Sequence, residues 1–181
     1  MRGSFFWRAL TLAVVMVAGA AVFVAPTATA APRPTVAAAA TEQVYLENDV
    51  PGPKCLDQDY SGNVEHREVL AWTCTFGYNE LWLVTPSSKG GSIIVNYLSD
   101  ECLDQDYSDN VEHSDVIAYT CDWTENSPNQ RWYFNSNKTI TNALSGKCLD
   151  EDFSGGVAHS DLLAWTCASS PGANERWSKH Y

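Results

Sequence analysis

Carboxylates, aromatic rings and amides recur in this chain at fixed spacing. Asp57, Asp104 and Asp150 each follow a Cys-Leu pair. Trp72, Tyr119 and Trp165 each stand two residues before a second cysteine, and Asn79, Asn129 and Asn174 open the phrases NELW, NQRW and NERW. A carboxylate accepts two hydrogen bonds from adjacent hydroxyls, and charge-assisted bonds of this kind are the stronger ones. An amide both donates and accepts. A flat exposed aromatic ring fits the C–H face of a pyranose. The combination suits a polyhydroxylated ligand. Two plainer readings stay open: the rings as packed surface aromatics, and the asparagines as turn residues at a loop end.

These groups recur because the chain itself repeats. The stretches Lys54–Cys74, Glu101–Cys121 and Lys147–Cys167 align without a gap, with leading cysteines 47 and then 46 residues apart. Such a period means one supersecondary unit used three times, a number that can close around a threefold axis. Within each unit, short β-branched or alternating runs predict strands. The first lies at Val44–Leu46, Ser92–Asn96 and Lys138–Asn142, and the second at each Cys-Leu-Asp. The third is VLAWTC, VIAYTC or LLAWTC, and the fourth surrounds Trp82, Trp132 or Trp177. Period two places Val69 and Ala71 on one face and Leu70 and Trp72 on the other. No segment carries sustained helical periodicity, so twelve strands in an all-β fold are expected.

Residues 1–30 read as a signal peptide: Arg2 and Arg8, an apolar run from Ala9 to Ala25, and Ala28-Thr29-Ala30 as a cleavage site before Ala31. Residues 31–40 read as a disordered Ala/Pro-rich leader, and 41–181 as one domain with repeats at about 41–86, 87–135 and 136–181. The 11 basic residues less these two, against 22 acidic ones, leave a net charge of −13. That balance argues against nucleic acid and anionic membranes as partners. Six cysteines in an exported chain read as three disulfides. A unit copied three times most simply carries its own bridge, which selects Cys55–Cys74, Cys102–Cys121 and Cys148–Cys167. Each closes a loop of about 20 residues, worth on the order of 3 kcal/mol in the chain-entropy account.

Cys-Leu-Asp, then Trp-x-Cys or Tyr-x-Cys, then a variant of Gln-x-Trp, three times at this spacing, resembles the ricin B-type lectin family. The resemblance spans the whole of 41–181 and implies a β-trefoil: a six-stranded barrel capped by three hairpins, binding carbohydrate. It implies that Trp82, Trp132 and Trp177 are buried, with Leu56, Leu103, Leu149, Val64, Val111 and Val157 also in the core. It makes Trp72, Tyr119 and Trp165 the stacking residues and Asp57, Asp104 and Asp150 the hydroxyl acceptors, with Asn79, Asn129 and Asn174 beside them.

The next position in the family is Gln, and here only Gln130 keeps it; Glu80 and Glu175 replace it in the other repeats. Beside an Asp, such a Glu demands a proton, a cation or a shift apart at neutral pH. Leu70, Ile117 and Leu163 also depart from the family, where a polar residue is common. The most conventional site is that of repeat two, with Asp104, Tyr119, Asn129 and Gln130. His66, His113 and His159 recur in the loop and could extend a sugar subsite or serve the scaffold.

Asp57-x-Asp59-x-Ser61-Gly62, with Glu68 twelfth, matches a calcium-loop consensus, as do Asp150, Asp152, Ser154, Gly155 and Asp161. Repeat two puts Asp109 where the Gly belongs, and a disulfide and strands replace the flanking helices, so an EF-hand is not expected. The pairs Asp57/Asp59, Asp104/Asp106 and Asp150/Asp152 could still hold Ca²⁺, although no cofactor is required.

An enzyme is not expected. The acids recur in every repeat, whereas an active site is normally singular, and no Ser elbow, H-E-x-x-H or phosphate loop is present. The expectation is a secreted, non-catalytic, monomeric lectin with up to three weak sites for galactosides or plant and microbial polysaccharides. The alternative is a secreted protein-binding trefoil, a protease inhibitor or toxin companion.

Overall fold

The computed structural model describes residues 40–60, 67–106, 114–152 and 159–181, the side chains of Arg67 and His159 excepted. Residues 1–39, Val64, Val111, Val157, His66, His113 and the middle of each calcium-like loop therefore lie outside the described residues. Repeat one supplies β1 (Glu42–Asn48), β2 (Lys54–Gln58), β3 (Arg67–Thr73) and β4 (Leu81–Pro86). Repeat two supplies β5 (Ser92–Asn96), β6 (Glu101–Gln105), β7 (Ser114–Thr120) and β8 (Arg131–Phe134). Repeat three supplies β9 (Ile140–Asn142), β10 (Cys148–Glu151), β11 (His159–Trp165) and β12 (Trp177–His180). Short 3-10 turns at Pro128–Gln130 and Ala173–Glu175 lead into β8 and β12, and no α-helix occurs among the described residues. The strand expected over Lys138–Asn142 is shorter because Lys138 takes φ 69°, a left-handed conformation that ends the extended backbone.

Pairing sorts the strands into two layers. β1, β4, β5, β8 and β9 pair in succession, and β12 returns to β1. A bridge between Thr139 and Arg176 joins the last gap, so six strands form a closed barrel. The hairpins β2–β3, β6–β7 and β10–β11 form the cap. Their second strands pair with one another in all three combinations, which makes a triangle about the pseudo-threefold axis. Closure leaves the barrel without open edges. The architecture is a β-trefoil.

The core is where the repeats meet. Trp82 and Trp132 are fully buried and Trp177 nearly so, packed with Leu56, Leu103, Leu149, Ala71, Ala118 and Ala164. A buried indole N–H needs an acceptor. Each finds the carbonyl of its own repeat's hairpin strand: Leu56 at 2.8 Å, Leu103 at 2.9 Å and Leu149 at 3.0 Å. One side chain thus fills the barrel and ties it to the cap.

The disulfides pair within the repeats as expected, with Cα separations of 4.9, 5.0 and 5.1 Å. The turn before each leading cysteine needs a positive φ, supplied by Gly52, Asp100 and Gly146. Buried polar side chains stitch one repeat to the next. Ser99 Oγ donates to Gln58 Oε1 at 2.7 Å, and Ser145 Oγ donates to Gln105 Oε1 at 2.6 Å. At the third junction Glu151 replaces glutamine, and the fully buried carboxylate accepts from Lys54 Nζ at 2.5 Å and from Asn48 Nδ2. A buried charge is tolerated only when paired and hydrogen-bonded.

Candidate functional site

The hairpin register explains why the candidate residues converge. Cys55 faces Trp72, Leu56 faces Ala71 and Asp57 faces Leu70 across β2–β3. Directly opposed residues share a face, and diagonal neighbours two positions on remain in reach. Leu56 and Ala71 therefore point into the core, while Asp57, Leu70 and Trp72 share the opposite face, where Asp57 and Leu70 are largely covered and Trp72 is exposed. The same register recurs with Asp104, Ile117 and Tyr119 on β6–β7, and with Asp150, Leu163 and Trp165 on β10–β11. Exposure separates the two classes of aromatic ring. Trp72, Tyr119 and Trp165 are 38, 37 and 39% exposed, whereas Trp82 and Trp132 are at 0%.

Each Asp is held by its Asn. Asn79 Nδ2 donates to Asp57 Oδ2 at 2.7 Å, and Asn129 Nδ2 donates to Asp104 Oδ1 at 2.8 Å. Asn174 Nδ2 donates to both oxygens of Asp150, at 2.9 and 3.0 Å. The Asn carbonyls sit tightly against the preceding loop. A Cβ at Gly77 would lie 2.6 Å from Asn79 Oδ1, and one at Gly172 would lie 2.3 Å from Asn174 Oδ1, so a side chain at either position would push the Asn amide aside; repeat two carries Ser127 at the matching place.

The neighbouring Gln or Glu lies beneath this layer. Gln130 Nε2 donates to Asp104 Oδ2 at 2.8 Å and to the Thr120 carbonyl at 3.0 Å, while its Oε1 accepts from the Asp122 N–H at 2.7 Å. Glu80 and Glu175 are buried and clamp the same loop end. Glu80 accepts from the Thr75 N–H at 2.9 and 3.0 Å and from the Phe76 N–H at 2.5 Å. Glu175 accepts from the Ala168 N–H at 2.8 Å and the Gly172 N–H at 3.0 Å. What the glutamates cannot do is donate to the Asp above them.

The consequence is electrostatic. Burial raises the Asp57 carboxyl from its ordinary 3.8 to about 7, the Asn79 hydrogen bond opposes the rise, and the Glu80 carboxylate adds to it. Burial likewise raises Asp150 to about 6, opposed by Asn174 and reinforced by Glu175. Between pH 3.8 and about 7 the native state binds more protons at Asp57 than the unfolded chain does. The stability this group contributes is therefore greatest at low pH and falls as pH rises through that window. Glu80→Gln with Glu175→Gln removes the opposing charges at the cost of the bonds to Phe76 N–H and Gly172 N–H. The difference in Tm between this variant and the parent is expected to move in the variant's favour as pH rises from about 4 to about 8. Thermal scans across that range check this; a constant difference would contradict it.

A cleft of about 660 Å³ opens at the repeat-one site, lined by Asp57, Asp59, Tyr60, Glu68, Leu70, Trp72, Thr75, Asn79 and Asp161. Asp161 comes from repeat three, because β11 pairs with β3 and sets Asp161 opposite Leu70. By the same register Glu68 stands opposite Ile117 of repeat two, and Asp115 opposite Leu163 of repeat three. Each site thus borders an acid from another repeat. Leu70, which departs from the family pattern, forms an apolar wall of the cleft.

Sequence reasoning did not single out the asparagines that fix the site from behind. Asn96 Nδ2 donates to the Asn79 carbonyl at 2.7 Å, and Asn142 Nδ2 donates to the Asn129 carbonyl at 2.7 Å. Their signal was present: Asn48, Asn96 and Asn142 recur at one place in the repeats. Of the proposed calcium ligands, Asp57 is engaged by Asn79, Asp104 by Asn129 and Gln130, and Asp150 by Asn174. Among the described residues, the group of three ligand types that draws together is Glu47, Cys55 and Cys74, and its two sulfurs form a disulfide rather than thiolates.

The fold and its triplicated surface define a β-trefoil of the lectin class. The profile of the ricin-type β-trefoil lectin domain matches residues 42–177, and the chain belongs to that family. No curated protein sequence matches significantly. The structure is similar to the designed threefold-symmetric protein ThreeFoil, with a TM-score of 0.66 and 19% identity over 77% of this chain and 98% of that one. It is similar to the C-half of an earthworm R-type lectin in complex with GalNAc, with a TM-score of 0.57 and 22% identity over 76 and 97%. It is also similar to the hemolytic lectin CEL-III, with a TM-score of 0.60 and 25% identity over 77% of this chain but 30% of that one.

Proposed function

We propose that this protein is a secreted, non-catalytic lectin that binds neutral glycans through up to three weak sites, one per repeat. The observation that carries the reading is the outward face shared by Asp57 and Trp72, and its recurrence at Asp104 with Tyr119 and Asp150 with Trp165. Asn79, Asn129 and Asn174 complete the three sets. The carboxylate accepts hydroxyl hydrogen bonds, the amide orients it, and the half-exposed ring offers an apolar platform. Galactosides and plant or microbial polysaccharides have the chemistry such a surface reads. Acids at Asp57, Asp59, Glu68 and Asp161 around one cleft disfavour uronates and sialylated glycans.

Weak sites on one rigid frame suit a polymer, where simultaneous engagement multiplies affinity. Export through a cleaved leader at 1–30 fits the three disulfides, and no helix among the described residues is long and apolar enough to cross a membrane. The acidic net charge of the chain, −11, disfavours nucleic acid. The lectin acts as a monomer that needs no cofactor for sugar contact. Calcium at the D-x-D pairs is the one addition worth testing.

A glycan and polysaccharide array run in CaCl₂ and again in EDTA tests the reading. Binding of neutral glycans, unchanged by EDTA, is expected. Binding lost in EDTA would bring Asp57, Asp59, Asp104, Asp106, Asp150 and Asp152 into the site as calcium ligands. No binding in either condition would overturn the lectin and favour a protein partner.

A further inference from the structure

Most of the core and site positions recur in all three repeats, whereas one exposed aromatic pair, Tyr78 with Tyr97, occurs in repeat one alone. Tyr78 and Tyr97 are 65 and 44% exposed, with ring centroids 5.5 Å apart and planes tilted by 31°. The bond that fixes their separation is the one that fixes the site: Asn96 Nδ2 to the Asn79 carbonyl, 2.7 Å, between the residues that follow Tyr78 and precede Tyr97. Tyr97 N–H also donates to the Leu81 carbonyl at 2.9 Å. Repeat two makes the equivalent Asn142–Asn129 bond, also 2.7 Å, with Pro128 and Ala143 at the matching places. Repeat three has Ala173 and Asp49 there. The scaffold therefore does not need the rings.

Resting on the reading of the repeat-one cleft as a sugar site, we propose that Tyr78 and Tyr97 form a second subsite beside it. It takes the next sugar of a chain whose end unit lies against Trp72 and Asp57. Repeat one then reads an oligosaccharide, while repeats two and three read single units. The occupant follows from continuity: Asn79 lines the cleft, and Tyr78 is its immediate neighbour in the chain. Two rigid rings with hydroxyl tips offer apolar surface and hydrogen bonds at little entropic cost, as suits a pyranose.

The test uses the protein with repeats two and three silenced by Tyr119→Ala and Trp165→Ala. Galactose is titrated against β-1,3-linked galactotetraose, and xylose against xylotetraose, with and without Tyr78→Ala/Tyr97→Ala. For one pair, the tetrasaccharide is expected to bind about tenfold more tightly than the monosaccharide, and the double Tyr variant to erase that gain while monosaccharide affinity stays unchanged. Monosaccharide binding without a tetrasaccharide gain, or a gain that survives the Tyr substitutions, overturns the subsite and leaves the cleft standing. No binding of any of the four sugars overturns both. Both tyrosines are exposed, so an unchanged Tm certifies that the variant is folded.

Discussion

Alanine at Trp72, Tyr119 and Trp165 together is expected to reduce binding to a polysaccharide recognised by the parent by about a hundredfold or more, because the multivalent gain disappears with the platforms. Each ring stands on a cap strand next to a buried alanine, and it lies on the strand face opposite that alanine and the core tryptophans. Removing them empties no core space, so Tm is expected to stay within a few degrees of the parent, as for surface substitutions generally. Single variants are expected to lose much less, since two platforms remain on the same frame. Affinity electrophoresis in polysaccharide gels, with thermal scans in parallel, measures both quantities. Retention of the triple variant at the parent's level would show that the rings are surface packing and not contact residues.

Trp132→Ala is expected to do the reverse. The indole is fully buried at the junction of barrel and cap, and its N–H satisfies the Leu103 carbonyl at 2.9 Å. Truncation leaves a cavity and an orphaned buried acceptor, with a cost of about 3–5 kcal/mol. That lowers Tm by roughly 10 °C in a domain of this size. Trp132→Phe keeps most of the volume and loses the hydrogen bond, so it is expected to fall between the parent and the alanine variant. Sugar affinity extrapolated to the folded fraction is expected to change little in either case. Chemical denaturation with intrinsic binding measured below the transition separates stability from recognition; a stable Trp132→Ala that fails to bind would invert the assignment of the two aromatic classes.

The contrast between these variants reflects what was legible before any coordinates. Triplication carried most of it. A residue found three times at one place in a repeat is either scaffold or site, and the family resemblance separated the two: it implied burial for the tryptophans of NELW, NQRW and NERW, which lie on barrel strands, and stacking for the rings before the second cysteines. The disulfides followed from the same repetition. What the sequence hid is what joins one repeat to another. Asp161 reaches the repeat-one cleft only because β11 pairs with β3, a contact between segments about 90 residues apart that no local pattern announces. The Lys54–Glu151 ion pair is hidden for the same reason, since a lysine and a glutamate in separate repeats carry no mark of partnership. The Glu80 and Glu175 substitutions were visible, but their effect on Asp57 and Asp150 depends on depth of burial, which composition does not give.

The central claim is that sugar meets the cap-strand rings and not the barrel tryptophans, and indole N–H resonances report it directly. A titration of ¹⁵N-labelled protein with the best glycan from the array is expected to move the Trp72 and Trp165 indole signals. The Trp82, Trp132 and Trp177 signals, held on the carbonyls of Leu56, Leu103 and Leu149, are expected to stay in place. Assignment by single Trp→Phe substitutions identifies each peak. Saturable binding that leaves Trp72 and Trp165 unmoved and shifts only Trp123, exposed in the loop after the second cysteine of repeat two, would contradict the claim and relocate the site to that loop.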